Sequence, residues 1–199
     1  MKIAILISGG GSNMVALIRA MQSGAIAATP ALVLSNRPDA GGLARARDMG
    51  VATETLDHRG FESRAEFETA LHARIEESGA DLICLAGFMR ILTAAFIARW
   101  EGRILNIHPS LLPAFTGLNT HQRALDAGCT IHGCTVHLVT AALDDGPILG
   151  QAAVPVLTDD DATTLAGRVL AQEHRLYPAA LARHIGGDQR PISLGLGQG

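Results

Sequence analysis

Asn106 and His108 close a short apolar run, ILNIH at 104–108, and Pro109 and Pro113 stiffen the exit that follows. Two positions apart on a strand, their side chains point to the same face. An amide can donate to the oxyanion that develops in acyl transfer, and an imidazole can give or take a proton near neutral pH. A histidine alone at such a place would serve as a turn cap. A carboxylate partner would change its chemistry, and LDDGPI at 143–148 offers Asp144 and Asp145 in a turn. Turns favour Asp and Gly for backbone reasons as well, so spacing leaves open whether either carboxylate meets His108.

A second chemical feature is SGGGSN at 8–13, between a strand and a helix. Glycines permit close approach of a ligand, and the first N–H groups of a helix attract an anion. Gly10, Gly11, Ser12 and Asn13 therefore point to a phosphate. The spacing fits neither GxGxxG nor the Walker pattern with its lysine, so neither a dinucleotide nor a nucleoside triphosphate is indicated.

The elements that position these residues follow from apolar pattern. KIAILIS (2–8), ALVLS (31–35), VATETL (51–56), DLICLAG (81–87) and RILNIH (103–108) are short and largely apolar, as strands covered on both faces must be. Between them, 13–23, 40–49, 63–78 and 93–100 carry helical spacing, the third opened by Ser63 with Glu66 three residues on, a capping-box pattern. This alternation predicts an α/β fold: a Rossmann-like, mostly parallel twisted sheet flanked by helices. TIHGCTVHLV (130–139) and PILGQAAVPV (147–156) predict an antiparallel extension. Residues 161–184 read as one long helix, with the acidic run Asp159 to Asp161 at its amino terminus. We expect a single domain over 1–184 and a loose, glycine-rich tail over 185–199.

Composition narrows the function classes. The 199 residues are 48% hydrophobic, with 16 Lys and Arg against 19 Asp and Glu and a net charge of −3. The basic residues are scattered, so nucleic acid is not expected as a partner. Three cysteines (Cys84, Cys129, Cys134) fit buried thiols in a reducing compartment better than disulfides. The amino-terminal apolar stretch is too short for a signal peptide or membrane span, which predicts a cytoplasmic location and no membrane partner. His121, His132 and His137 lack carboxylate or cysteine companions at ligand spacing, so no metal is expected. His132 and His137 have opposite parity on a regular strand.

ISGGGSN, LAGFMRIL (85–92), NIHPSLLP and LDDGPIL occur in the order, and at nearly the separations, found in the phosphoribosylglycinamide formyltransferases of purine synthesis, which this chain resembles over residues 1 to about 184. The resemblance implies transfer of the formyl group of 10-formyltetrahydrofolate, a co-substrate, to the amine of glycinamide ribonucleotide, by a monomer or homodimer and without a metal. It implies that Gly10 to Asn13 hold the ribonucleotide phosphate, and that Pro109 and Glu173 position the rest of that substrate. It also implies that Arg64, Met89, Arg90, Ile91, Leu92, Asn106, Thr140 and Asp144 line the folate site, with the loop 140–144 closing over the pterin. Asn106, His108 and Asp144 would be the catalytic residues, Asp144 supporting a protonated His108. The chain departs from relatives at Ala114, where many have lysine, and at Asn119, where many have histidine. Two related activities, formyltetrahydrofolate deformylase and methionyl-tRNA formyltransferase, usually carry an extra domain for which 199 residues leave no room. A catalytically silent folate or nucleotide binder is disfavoured by the retained trio.

Overall fold

The computed structural model describes residues 1–188 and 190–195. Among the described residues eight strands, numbered along the chain, form one sheet in the order β3-β2-β1-β4-β5-β6-β7-β8. The first five are parallel to one another: β1 (Lys2–Ile7), β2 (Thr29–Ser35), β3 (Thr53–Thr55), β4 (Leu82–Leu85) and β5 (Ile104–His108). The antiparallel extension is present as β6 (Ile131–Leu138) against β5 and β7 (Ile148–Pro155) against β6.

Both faces of the sheet are covered, and β1 is buried from Ile3 to Ile7 for that reason. Ile3, Ile5 and Ile7 pack with α1 (Ser12–Gln22), α2 (Gly41–Asp48) and the long α6 (Ala162–Ile185). Ala4, Leu6 and Ile83 face α3 (Arg64–Glu77) and α4 (Ala94–Arg99) on the other side. Each large side chain buried this way contributes about 1.5–3 kcal/mol, so the central strands form a stiff platform for the loops at their carboxyl ends.

Local signals set the helix starts. Asp161 caps α6, its side chain accepting from Thr164 N–H at 2.7 Å while Thr164 Oγ1 accepts from Asp161 N–H at 2.9 Å. The box expected at α3 is only half formed. Ser63 Oγ accepts from Glu66 N–H at 3.2 Å, but the Glu66 carboxylate turns to the N–H of Glu62 instead of Ser63.

Two expectations differ from the structure, and one helix lies where sequence pattern showed none. The strand at 51–56 shortens to Thr53–Thr55, because it lies at the sheet edge with one neighbour to pair with. A helix, α5 (Thr120–Asp126), occupies a stretch in which only Thr120 and Ala124 are buried, too little to show as periodicity. In the segment expected as a loose tail, Ile192–Leu194 form β8, parallel to β7, where Ile192 and Leu194 pack on the core. Gln189 and residues 196–199 of that segment lie outside the described residues.

Candidate active site

The strand order reverses at β1, whose neighbours are β2 and β4, so the loops after β1 and β4 diverge and leave a crevice at the carboxyl ends of the strands. There a cleft of about 790 Å³ opens. Its walls are the loop 87–92 after β4, the ends of β5 and β6, the loop 117–119 with the first turn of α5, the loop 139–144, and Asn13 and Glu173 from α1 and α6.

At its base, Asn106 and His108 leave β5 on one face, as strand parity requires. His108 is buried and its ring lies between two oxygens: Nε2 is 3.0 Å from the Phe115 carbonyl, and Nδ1 is 3.5 Å from Asp144 Oδ2. A carbonyl can only accept, so Nε2 carries a hydrogen, whereas Nδ1 stands at ion-pair distance from Asp144 without a hydrogen bond. Asp144, with only 8% of its side chain exposed, also accepts from Gly117 N–H at 2.9 Å. It adopts the left-handed conformation (φ 54°), which an aspartate tolerates better than most residues. Asp145 is exposed, so the structure selects Asp144 as the partner of His108. The position of Asp144 depends on Gly146, since a side chain at 146 would run into the Leu138 carbonyl.

His137 is a member of this group to which sequence pattern gave no role, its spacing having argued against a metal ligand. Antiparallel register sets it opposite Asn106, with Asn106 Nδ2 3.2 Å from His137 Nε2. His137 Nδ1 lies 2.9 Å from the Leu138 carbonyl, so the Nδ1–H tautomer leaves Nε2 free to accept from the amide. Burial lowers the pKa of His137, in keeping with a neutral ring. One amide hydrogen of Asn106 is then fixed and the other remains available to the cleft. His132, on the same strand, instead meets His121 and Phe115, and burial drops its pKa to about 4.

Where α1 and α6 meet the cleft, Asn13 Nδ2 donates to Glu173 Oε2 at 2.6 Å, leaving buried Asn13 Oδ1 without a partner among the described residues. Burial raises the Glu173 pKa, and the bond from Asn13 offsets part of that rise. A carboxyl that holds its proton more tightly folded than unfolded favours folding below the ordinary glutamate value and loses that contribution as pH rises through the raised one. Glu173→Gln keeps the shape and removes the ionisation, so its melting temperature relative to the parent should rise as pH climbs above the ordinary glutamate range. A thermal-unfolding series from that range upward reads the difference, and a flat one refutes it.

Pro109, Thr140 and Met89 to Leu92 line the cleft, with Met89 65% and Ile91 61% exposed, large apolar side chains without cover. Phe88 packs in the core at the cleft margin. Gly10, Gly11 and Ser12 do not line the cleft but lead to it at the start of α1. Of the three glycines only Gly11 has positive φ (69°), capping the helix where the Gly42 backbone crosses too closely for a side chain. Arg64 is exposed on the first turn of α3 and is not part of the cleft wall. Among the described residues no group of three or more His, Cys, Asp or Glu could hold a metal ion, and no helix is long and apolar enough to cross a membrane.

Comparison with known proteins identifies this arrangement. The Formyl transferase family profile matches residues 1–181. Phosphoribosylglycinamide formyltransferase of Escherichia coli is 47% identical over 182 residues, 92% of this chain and 86% of that protein. Trifunctional purine biosynthetic protein adenosine-3 of Gallus gallus is 49% identical over 90% of this chain, which there spans only 18% of a much longer protein. Among solved structures, glycinamide ribonucleotide transformylase 1 from Symbiobacterium toebii aligns with a TM-score of 0.92 at 47% identity, covering 94% of this chain and 88% of that one. Phosphoribosylglycinamide formyltransferase from Brucella melitensis is 57% identical with a TM-score of 0.88, over 92% and 94%. With these extents of identity and coverage, the chain belongs to the formyl transferase family, on its phosphoribosylglycinamide formyltransferase branch.

Proposed function

We propose that the chain transfers the formyl group of 10-formyltetrahydrofolate to the amine of glycinamide ribonucleotide, giving formylglycinamide ribonucleotide and tetrahydrofolate in purine biosynthesis. The observation that supports this most is the convergence of Asn106, His108 and Asp144 at the base of one cleft, between the polar Asn13–Glu173 pair and the apolar loop 89–92.

The ribonucleotide phosphate sits at Gly10 to Asn13, on the amino terminus of α1, with Pro109 and Glu173 against the rest of that substrate. The pterin lies against the backbone of Met89 to Leu92, under the loop from Thr140 to Asp144. Arg64, exposed outside the cleft, would reach only the distal end of the folate. The substrate amine attacks the formyl carbon. The carbonyl oxygen of the resulting tetrahedral intermediate accepts from the free amide hydrogen of Asn106 and from protonated His108. Collapse breaks the bond from carbon to the folate nitrogen, and the proton lost by the amine reaches that nitrogen, with Asp144 holding the imidazolium in place. Neither a metal nor a covalent enzyme intermediate enters these steps. Isotope-labelled formyl donor tests the proposal: label recovered as an amide on the ribonucleotide supports it, and label recovered only as formate refutes it.

If His137 orients Asn106, His137→Leu should lower kcat about tenfold, a fraction of the roughly 10²–10³ that losing an oxyanion donor costs, with little change in either KM. Steady-state kinetics would show this, and His137→Gln, which retains an acceptor, should recover part of the loss.

A further inference from the structure

Ser8 opens the glycine loop, yet it neither lines the cleft nor belongs to the helix start. It is buried, and its single hydroxyl is used in both directions. Ser8 Oγ donates to Asn36 Oδ1 at 2.6 Å and accepts from Met89 N–H at 2.7 Å. The first bond fixes the hydroxyl hydrogen toward Asn36, so the lone pairs face the loop after β4. Asn36 is itself 2% exposed, and its side chain is braced by His58 Nδ1 at 3.2 Å. Two residues before Met89, the Gly87 carbonyl accepts from Ser8 N–H at 3.0 Å. Two bonds from one residue therefore tie the loop 87–92 to the end of β1, across the crevice at which the strand order reverses.

The far end of that loop is tied independently. Buried Glu68 of α3 accepts from Thr93 N–H at 2.8 Å and also from the Thr93 hydroxyl. Between the two anchors, Met89 and Ile91 project into solvent and make little packing of their own. The backbone of Met89 to Leu92 is thus held near its ends, where Phe88 and Leu92 pack in the core, and the Met89 N–H has the Ser8 hydroxyl as its acceptor.

We propose that Ser8 is a positioning residue for the folate, setting the backbone of Met89 to Leu92 at the height the pterin needs while leaving the ribonucleotide side untouched. This rests on the proposed seating of the pterin on that loop. Ser8→Ala removes the acceptor for Met89 N–H but preserves the backbone bond to Gly87, so the glycine loop keeps its path. A part-buried donor that loses its acceptor, on a loop whose height then drifts, predicts a rise of about five- to thirtyfold in the KM for 10-formyltetrahydrofolate, with the KM for ribonucleotide within about twofold of the parent.

The test is steady-state kinetics of Ser8→Ala with each substrate varied in turn, alongside its melting temperature. Should Ser8→Ala fail to fold, Ser8→Cys fills a similar volume with a weaker acceptor and takes its place. Asn36→Ala, which leaves the hydroxyl but frees its direction, should show the same split to a smaller degree. A folate-selective rise in KM supports the proposal. Equal rises in both KM values indicate a merely structural serine and overturn it, as does a folate KM within about twofold of the parent. Direct titration with tetrahydrofolate separates the two levels of inference: a parent chain that does not bind it at all overturns the folate seating, and the role of Ser8 with it.

Discussion

His108→Ala is expected to lower kcat by roughly 10²–10⁴, the range associated with a positioned acid or base, while the chain remains folded and binds both substrates. The ring is buried between Phe115 and Asp144 and its removal leaves a small polar gap, but the strand beneath it is fixed by β4 on one side and β6 on the other. Turnover should therefore suffer far more than stability. Single-turnover rates measured beside thermal unfolding check both halves, and undiminished turnover would remove His108 from the chemistry.

Asp144→Asn should also reduce turnover strongly, on the order of 10²-fold, with much less effect on ribonucleotide affinity. The carboxylate does two things at once: Oδ2 accepts from Gly117 N–H and faces His108 Nδ1. An asparagine can keep the oxygen for Gly117 but loses the negative charge beside the imidazolium. The loop that carries it is gripped at Gly146, so the backbone should not shift. Equal losses in turnover and in ribonucleotide binding, read by titration calorimetry and kinetics, would instead assign Asp144 a positional role.

Much of this site was legible because its logic is local. Strand parity alone put Asn106 and His108 on one face, the five apolar runs gave the parallel strands, and Asp159 to Asp161 marked the start of α6, where Asp161 is the cap. What was not legible depends on long-range register or on the backbone. His137 faces Asn106 only because β6 runs antiparallel to β5, and its parity told where it does not point without telling what it meets. The Phe115 carbonyl reaches His108 because Phe115 adopts positive φ (54°), which its side chain does not advertise. The choice of Asp144 over Asp145 rests on one peptide's direction. Short elements were missed for a different reason: α5 and β8 bury too few side chains for a pattern to emerge. Resemblance carried the rest, including Arg64, whose exposed position keeps it apart from the cleft wall.

Release of the folate product from 10-formyltetrahydrofolate, followed by absorbance with and without glycinamide ribonucleotide, tests the proposed transfer most directly. Release should occur only when the ribonucleotide amine is present and should slow in His108→Ala by the roughly 10²–10⁴ expected for that substitution. Equal release without the ribonucleotide would mean that water is the acceptor, and a transferase mechanism built on Asn106, His108 and Asp144 would be contradicted.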